Sequence, residues 1–224
     1  MQDLSPLPTR EFRLSRTQVL VLTSGFALSL LTLRTLWTSQ TVFWFLGWNL
    51  FLAWVPWALA QVVTWSRLRD WMRLPLLGAW LLFLPNAPYV LTDLFHLRAR
   101  TGIPRWFDLL LILTFAWAGL MWGFAALRQV ELGVLRRWFR HVTPLVTGGL
   151  LLLSAYGVYL GRYLRFNSWD LAIHPTRILR ELLDLLRYPL AHVEIWGFTA
   201  GFGCFLIVAY AWYVGTEGHP SHKR

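Results

Sequence analysis

The sequence predicts an all-α integral membrane protein, a bundle of about six transmembrane helices with a short amphipathic helix at the membrane interface. Three observations carry that expectation. Of 224 residues, 56% are apolar and only 14% are charged, well below the quarter usual in soluble domains. Uncharged runs long enough to cross a bilayer recur along the whole chain. The 20 Arg and the single Lys fall in short clusters between those runs instead of forming one basic stripe.

That distribution assigns the net charge of +10 to anionic lipid headgroups and not to nucleic acid; an Arg near a bilayer surface gains about 1 kcal/mol from them. One cysteine, Cys204, lies inside an apolar segment, which excludes an intramolecular disulfide and a cysteine-based zinc site.

The chain divides into a cytoplasmic N-terminal tail over 1–18, a six-helix membrane domain over 19–214 and a short C-terminal tail over 215–224. Arg10, Arg13 and Arg16 before the apolar run 17–33 have the layout of a secretory leader. The run is long, Arg34 follows it and no A-x-A site is present, so it reads as a retained first span over about 19–37, with Arg34 snorkelling to the interface. The second span, about 42–65, carries Asn49, Gln61 and a mid-helix Pro56 that should kink it. The third begins at Pro75 and runs to Pro85-Asn86-Ala87-Pro88-Tyr89. Pro85 has no N–H and frees a carbonyl one turn earlier, and irregular backbone at membrane depth persists only where protein buries it or a cavity receives it. Asn86 can satisfy part of that deficit.

The fourth span covers 109–127 and ends in Arg128, Glu131, Arg136, Arg137 and Arg140; the fifth covers 142–161 and the sixth 195–214. Between the last two, residues 176–187 set Ile178, Leu179, Leu182, Leu183, Leu185 and Leu186 against Arg177, Arg180, Glu181, Asp184 and Arg187. That pattern suits a helix lying in the interface plane or a solvated helix packed on the bundle. Gly119/Gly123, Gly157/Gly161 and Gly197/Gly201 each recur at a spacing of four, which permits close helix packing. No oligomeric state follows from them.

Six spans put both tails and the second and fourth loops on one face, and Arg plus Lys divide twelve to nine in favour of that face. By the positive-inside rule it is cytoplasmic, with both termini inside. The opposite face still carries Arg98, Arg100, Arg105, Arg162, Arg165, Arg177, Arg180 and Arg187, and acids stand near them in sequence: Asp93, Asp108 and Asp170. Arginines that oppose the orientation signal can hold an anion, contact headgroups or pair with acids.

Three stretches converge on that face by topology: Asn86 to His96, Arg105 to Asp108, and Tyr156 to His174. Asp93, Asp108 and Asp170 are the candidates for acid/base work. Asn86, Tyr89, Arg162, Arg165, Asn167 and Trp169 are the candidates for substrate binding. Asp93/His96 are spaced i,i+3 and Asp170/His174 i,i+4, so four ligands for a divalent metal such as zinc or manganese can be drawn from them; the same residues serve as helix caps and dipole partners. Tyr156, Tyr159 and Tyr163 form a stripe beside Arg162 that either lines an anion pocket or belongs to an aromatic belt. Asn49 and Gln61 suit interhelical hydrogen bonding. The sequence has no P-loop, nucleophile elbow, zincin motif or dinucleotide fingerprint, and no acid, Lys or His stands mid-span where a proton relay would need one.

The run Pro85-Asn-Ala-Pro-Tyr-Val-Leu-Thr-Asp-Leu-Phe-His96 and the run Gly161-Arg-Tyr-Leu-Arg-Phe-Asn-Ser-Trp-Asp170 resemble the domain of unknown function 1361 family. Trp48-Asn-Leu-Phe-Leu-Ala53 and Trp106-Phe-Asp108 are similar to its pattern as well. The resemblance implies a multi-pass protein of a bacterial cell membrane and assigns no activity. Three classes of function stay open: an enzyme acting on an anionic lipid-linked or phosphorylated substrate, a small transporter or channel, and a scaffold subunit of a membrane complex.

Overall fold

The computed structural model describes residues 14–65, 67–98, 102–166, 176 and 187–216. Among them no strand occurs, and six helical segments are long and apolar enough to cross a membrane: Arg16–Thr38, Trp44–Val63, Asp70–His96, Arg105–Trp138, Thr143–Arg162 and Val193–Gly215. The protein is an all-α membrane bundle. The tails and most of the amphipathic stretch 176–187 lie outside the described residues.

Helix α1 (Arg16–Thr38) opens on a capping box in which Ser15 Oγ accepts from the Gln18 N–H and Gln18 Oε1 accepts from the Ser15 N–H. Helix α2 (Trp44–Val63) holds Pro56 buried in its interior. The third span is three pieces: α3 (Asp70–Phe83), a single turn α4 (Asn86–Tyr89), and a 3-10 stretch Val90–His96. The fourth is α5 (Arg105–Val130), a π-helical turn Glu131–Leu135 and α6 (Arg136–Trp138). Helices α7 (Thr143–Arg162) and α8 (Val193–Gly215) complete the bundle.

The third and fourth spans run further than their uncharged stretches. Arg73 is 6% exposed; its Nη1 donates to Asp70 at 2.9 Å and its Nη2 to the Trp65 carbonyl at 3.2 Å. Asp108 and Glu131 are likewise buried and partnered. A charge whose partner lies on the protein does not end a helix, so the chain coils on through each of them.

Helix α5 is the axis of the bundle. In the fourth span 61% of the most apolar stretch is buried, against 17% in the sixth. The 34 residues of the fourth span reach about 50 Å at 1.5 Å per residue, beyond a hydrocarbon core of about 30 Å, so the charged ends of that span emerge at the two faces. Leu30, Phe43, Leu46 and Ala87 gather with Phe107 and Phe115 of α5 in one core cluster; Trp80, Leu84, Leu151, Leu206 and Tyr210 gather with Phe124 of α5 in a second. Leu36, Leu145, Val208 and Trp212 are each more than two-thirds exposed, the outward apolar surface that lipid covers.

The break in the third span is held by glycine. A Cβ on Gly123 would stand 2.5 Å from Ala87 Cβ, and one on Gly157 2.6 Å from Pro85 Cγ. Gly119 abuts Val90, and Gly161 abuts the Tyr89 ring. Segment 85–90 is therefore clamped between α5 and α7 by two of the three glycine pairs. The third pair, Gly197/Gly201, makes no close approach: a Cβ on either residue would have no atom within 4 Å. At the break itself the Ala87 N–H turns back to Leu84 O at 3.2 Å, and Asn86 Nδ2 donates at 2.9 Å to Phe83 O, the carbonyl that the Ala87 N–H would meet in a regular α-helix.

Candidate functional site

Past the break the chain tightens to three residues per turn, which stacks positions i and i+3. Two rows result, Tyr89/Thr92 and Asp93/His96, and both meet α7. In the first, Thr92 Oγ1 donates to the Tyr89 carbonyl at 2.6 Å and accepts from Arg162 Nε at 2.8 Å. The Arg162 guanidinium also lies 4.5 Å from the centre of the Tyr89 ring, a cation–π contact. In the second, Asp93 Oδ1 accepts from Arg162 Nη2 at 2.5 Å and Oδ2 accepts from Asn49 Nδ2 at 2.8 Å. One carboxylate, 1% exposed, thus ties α2, the third span and α7 together.

His96 completes the cluster at its open edge. Its Nδ1 lies 3.3 Å from the Asp93 carbonyl oxygen and 3.9 Å from Asp93 Oδ1. A carbonyl only accepts, so in that contact Nδ1 carries the hydrogen. The ring sits 4.9 Å from that of Phe45, and 42% of the side chain is exposed.

Arg162 engages Asp93 and Thr92 through Nε and Nη2 with its side chain 14% exposed. Its Nη1 has no hydrogen-bond partner among the described residues. Three residues on, Arg165 is exposed and takes a left-handed backbone conformation (φ 57), which costs a non-glycine residue about 1–2 kcal/mol. The Phe166 N–H closes this turn on Leu160 O at 3.1 Å. Strain of that kind is often kept where a side chain must be aimed.

Of the residues expected at this face, Tyr89, Asp93, His96 and Arg162 meet. Asn167, Trp169, Asp170 and His174 lie outside the described residues. Asn86 bonds its own helix break. Asp108 has another partner: its Oδ1 accepts from Arg34 Nε at 2.9 Å, and both side chains are 1% exposed. Arg34 therefore does not snorkel; it also donates to Thr38 Oγ1 and lies 4.5 Å from the Phe43 ring. Phe43 contacts Phe45, and Phe45 contacts His96, so the two ion pairs occupy the same end of the bundle. Of the expected tyrosine stripe, Tyr159 and Tyr163 stack at 4.7 Å.

The four-ligand metal set is represented here by Asp93 and His96. Both Asp93 oxygens already accept hydrogen bonds, one from a guanidinium. Among the described residues no three His, Cys, Asp or Glu side chains gather closely enough to hold a metal ion.

A third buried acid stands just past the far end of α5. Glu131 Oε1 accepts from Arg128 at 2.9 Å and from Arg136 at 3.5 Å, and Oε2 accepts from the Tyr210 hydroxyl at 2.5 Å. The π turn, with its i to i+5 spacing, brings Arg136 round to the carboxylate. In the sequence Glu131 is one acid in an Arg-rich stretch that ends a span; only its isolation among arginines hinted at a partnered role. Next to it, Gln61 donates to Gln129 and Gln129 to Thr64, each at 2.9 Å, interhelical bonding of the expected kind. Asp108 and Glu131 are separated along the axis by about 35 Å.

The family model described as Protein of unknown function (DUF1361) matches residues 48–209, well over half of the chain. The chain belongs to the DUF1361 family. No curated protein and no solved structure matches it. The DUF1361 match takes in Asn49, Asp93, His96, Asp108, Glu131 and Arg162, while Arg34, Phe45 and Tyr210 fall outside it.

Proposed function

We propose that this DUF1361 protein binds, and acts on, an anionic lipid-linked or phosphorylated substrate at the membrane face where Asn49, Asp93 and Arg162 meet. The observation that carries this reading is the half-used guanidinium of Arg162. Thr92 and Asp93 fix its direction, its Nη1 edge is left to a ligand, and Arg165 stands exposed three residues further along the chain. A planar fork with two edges suits a phosphate oxygen pair. Asp93 orients Arg162; Asp93 and Asp170 are the candidates for proton transfer; Asp108 fastens α1 to α5 through Arg34.

A divalent metal on Asp93, His96, Asp170 and His174 is the competing assignment of the same residues. The guanidinium on Asp93 favours an anion, because it repels a cation at that carboxylate. The excess of basic residues on the opposite face supports an outward-facing site with both termini in the cytoplasm, and the family resemblance supports the cytoplasmic membrane of a bacterium. A small carrier is the second reading, supported by the broken third span, since discontinuous helices line the binding sites of many transporters.

Mass spectrometry of lipids retained by the purified protein tests the binding reading. The wild type should retain phosphate-bearing lipid, and Arg165→Gln, altered at an exposed side chain, should retain less. Equal retention, with the two proteins equally folded, overturns it. Solute flux in proteoliposomes without retained lipid would favour the carrier.

A further inference from the structure

Next to Arg162 begins a continuous row of aromatic rings. Tyr163 stacks on Tyr159 at 4.7 Å, both touch Phe198 of α8 at 5.7 Å, and Phe198 stacks on Phe202 at 5.2 Å, which meets Phe205 at 5.9 Å. The row starts at the charged end of α7 and descends into the membrane. From Phe198 to Phe205 it covers about 10 Å along α8, about a third of a hydrocarbon core, with Tyr159 and Tyr163 of α7 both alongside Phe198. Its ends are open to the outside, Tyr163 at 51% and Phe205 at 48% exposure. Along one edge, Gly201 leaves the α8 backbone bare.

We infer that this row is the tail track of the substrate site, so that the ligand is a phosphorylated lipid with its headgroup at Arg162 and Arg165 and one hydrocarbon chain along Tyr163, Tyr159, Phe198, Phe202 and Phe205. The inference rests on the anion-binding reading above and adds the class of molecule. Two features support it. Charge complementarity places the head, because exposed Arg165 and the Nη1 edge of Arg162 lie at the start of the row. Continuity places the tail, because Tyr159 and Tyr163 flank Arg162 at the last turn of α7. Lipid tails are abundant everywhere around the bundle and hydrophobicity alone selects none of them; the head supplies selection, and ring contacts hold one chain in register with it.

Gly201 offers a test that leaves the protein interior untouched, since a side chain there meets no atom within 4 Å of the Cβ position. Gly201→Leu would fill the edge of the track from a Cβ that meets no atom of the bundle within 4 Å. Binding of dioleoyl phosphatidate would be measured by native mass spectrometry from phosphatidylcholine nanodiscs, with inorganic phosphate as competitor. Gly201→Leu and Phe198→Leu should each weaken phosphatidate binding about threefold or more, a loss of roughly 0.7 kcal/mol. Arg165→Gln should weaken it about tenfold, as for a lost charge-assisted hydrogen bond. If Arg165→Gln weakens binding while both track variants bind as the wild type does, the track is wrong and the anion site stands. If Arg165→Gln leaves binding unchanged, the anion reading fails and the track with it. If inorganic phosphate displaces the lipid at equal concentration, the site takes free phosphate and the lipid assignment is overturned.

Discussion

Replacing Asp93 by Leu and Arg162 by Met, singly and together, separates a buried partnership from two independent surface charges. Arg162→Met leaves the Asp93 carboxylate, 1% exposed, with Asn49 as its remaining side-chain donor. A buried charge stripped of its partner costs about 3–5 kcal/mol. Asp93→Leu costs less, because Arg162 keeps Thr92 and its 14% exposure gives the guanidinium some access to the surface; about 1–3 kcal/mol is expected for the lost charge-assisted bonds. The double variant removes both charges and leaves side chains of similar size, and such replacements of buried pairs are often close to neutral. With the double variant near neutral, the cycle should therefore give a coupling close to the sum of the two single losses, about 4–8 kcal/mol, read from equilibrium unfolding of the purified protein in detergent micelles. Additive losses, with coupling under about 0.5 kcal/mol, would refute the pairing of α7 with the third span through this carboxylate.

The other expectations follow from the same packing. Gly123→Ala places a methyl 2.5 Å from Ala87 Cβ and should destabilise by about 1–3 kcal/mol, whereas Gly201→Ala, in open space, should be neutral or stabilising by up to about 1 kcal/mol; thermal unfolding of the two variants checks the contrast. Arg34→Met removes the Nε donor from buried Asp108 and should cost about 1–3 kcal/mol for the lost charge-assisted bond, most of it recovered in Arg34→Met/Asp108→Leu, measured in the same unfolding assay. Tyr210→Phe removes one donor from Glu131 while Arg128 and Arg136 remain, so a loss of about 1–3 kcal/mol is expected, and equal stability would show that the far cluster does not depend on α8.

Much of this architecture is legible in the sequence because lipid demands long uncharged runs and the chain supplies six of them. The broken third span is legible too, from two prolines at membrane depth, and so is the alignment of Asp93 with His96, from their spacing. Partner choice is not. Whether an arginine near a helix end reaches for a headgroup or for an acid on another helix depends on which helices are neighbours, and periodicity along one helix carries no information about its neighbours. Arg34 illustrates the point: Asp108 lies 74 positions away, and only the packing of α1 on α5 brings them together. Asn49 suits interhelical bonding in sequence, yet its partner, Asp93, makes it part of the site. Glu131 looks like the end of a span in sequence because Arg136 is brought to it by a π turn that no periodicity announces.

Side-specific labelling of single cysteines tests the polarised bundle most directly. With Cys204 replaced by Ser, His96→Cys, Arg165→Cys, Arg69→Cys and Arg140→Cys would each be exposed to a membrane-impermeant maleimide in intact cells and in inverted vesicles. His96 and Arg165 should label together from one side, the outside in the proposed orientation, and Arg69 and Arg140 only from the other. Labelling of His96→Cys and Arg165→Cys from opposite sides would contradict the convergence of the third and fifth spans at one face.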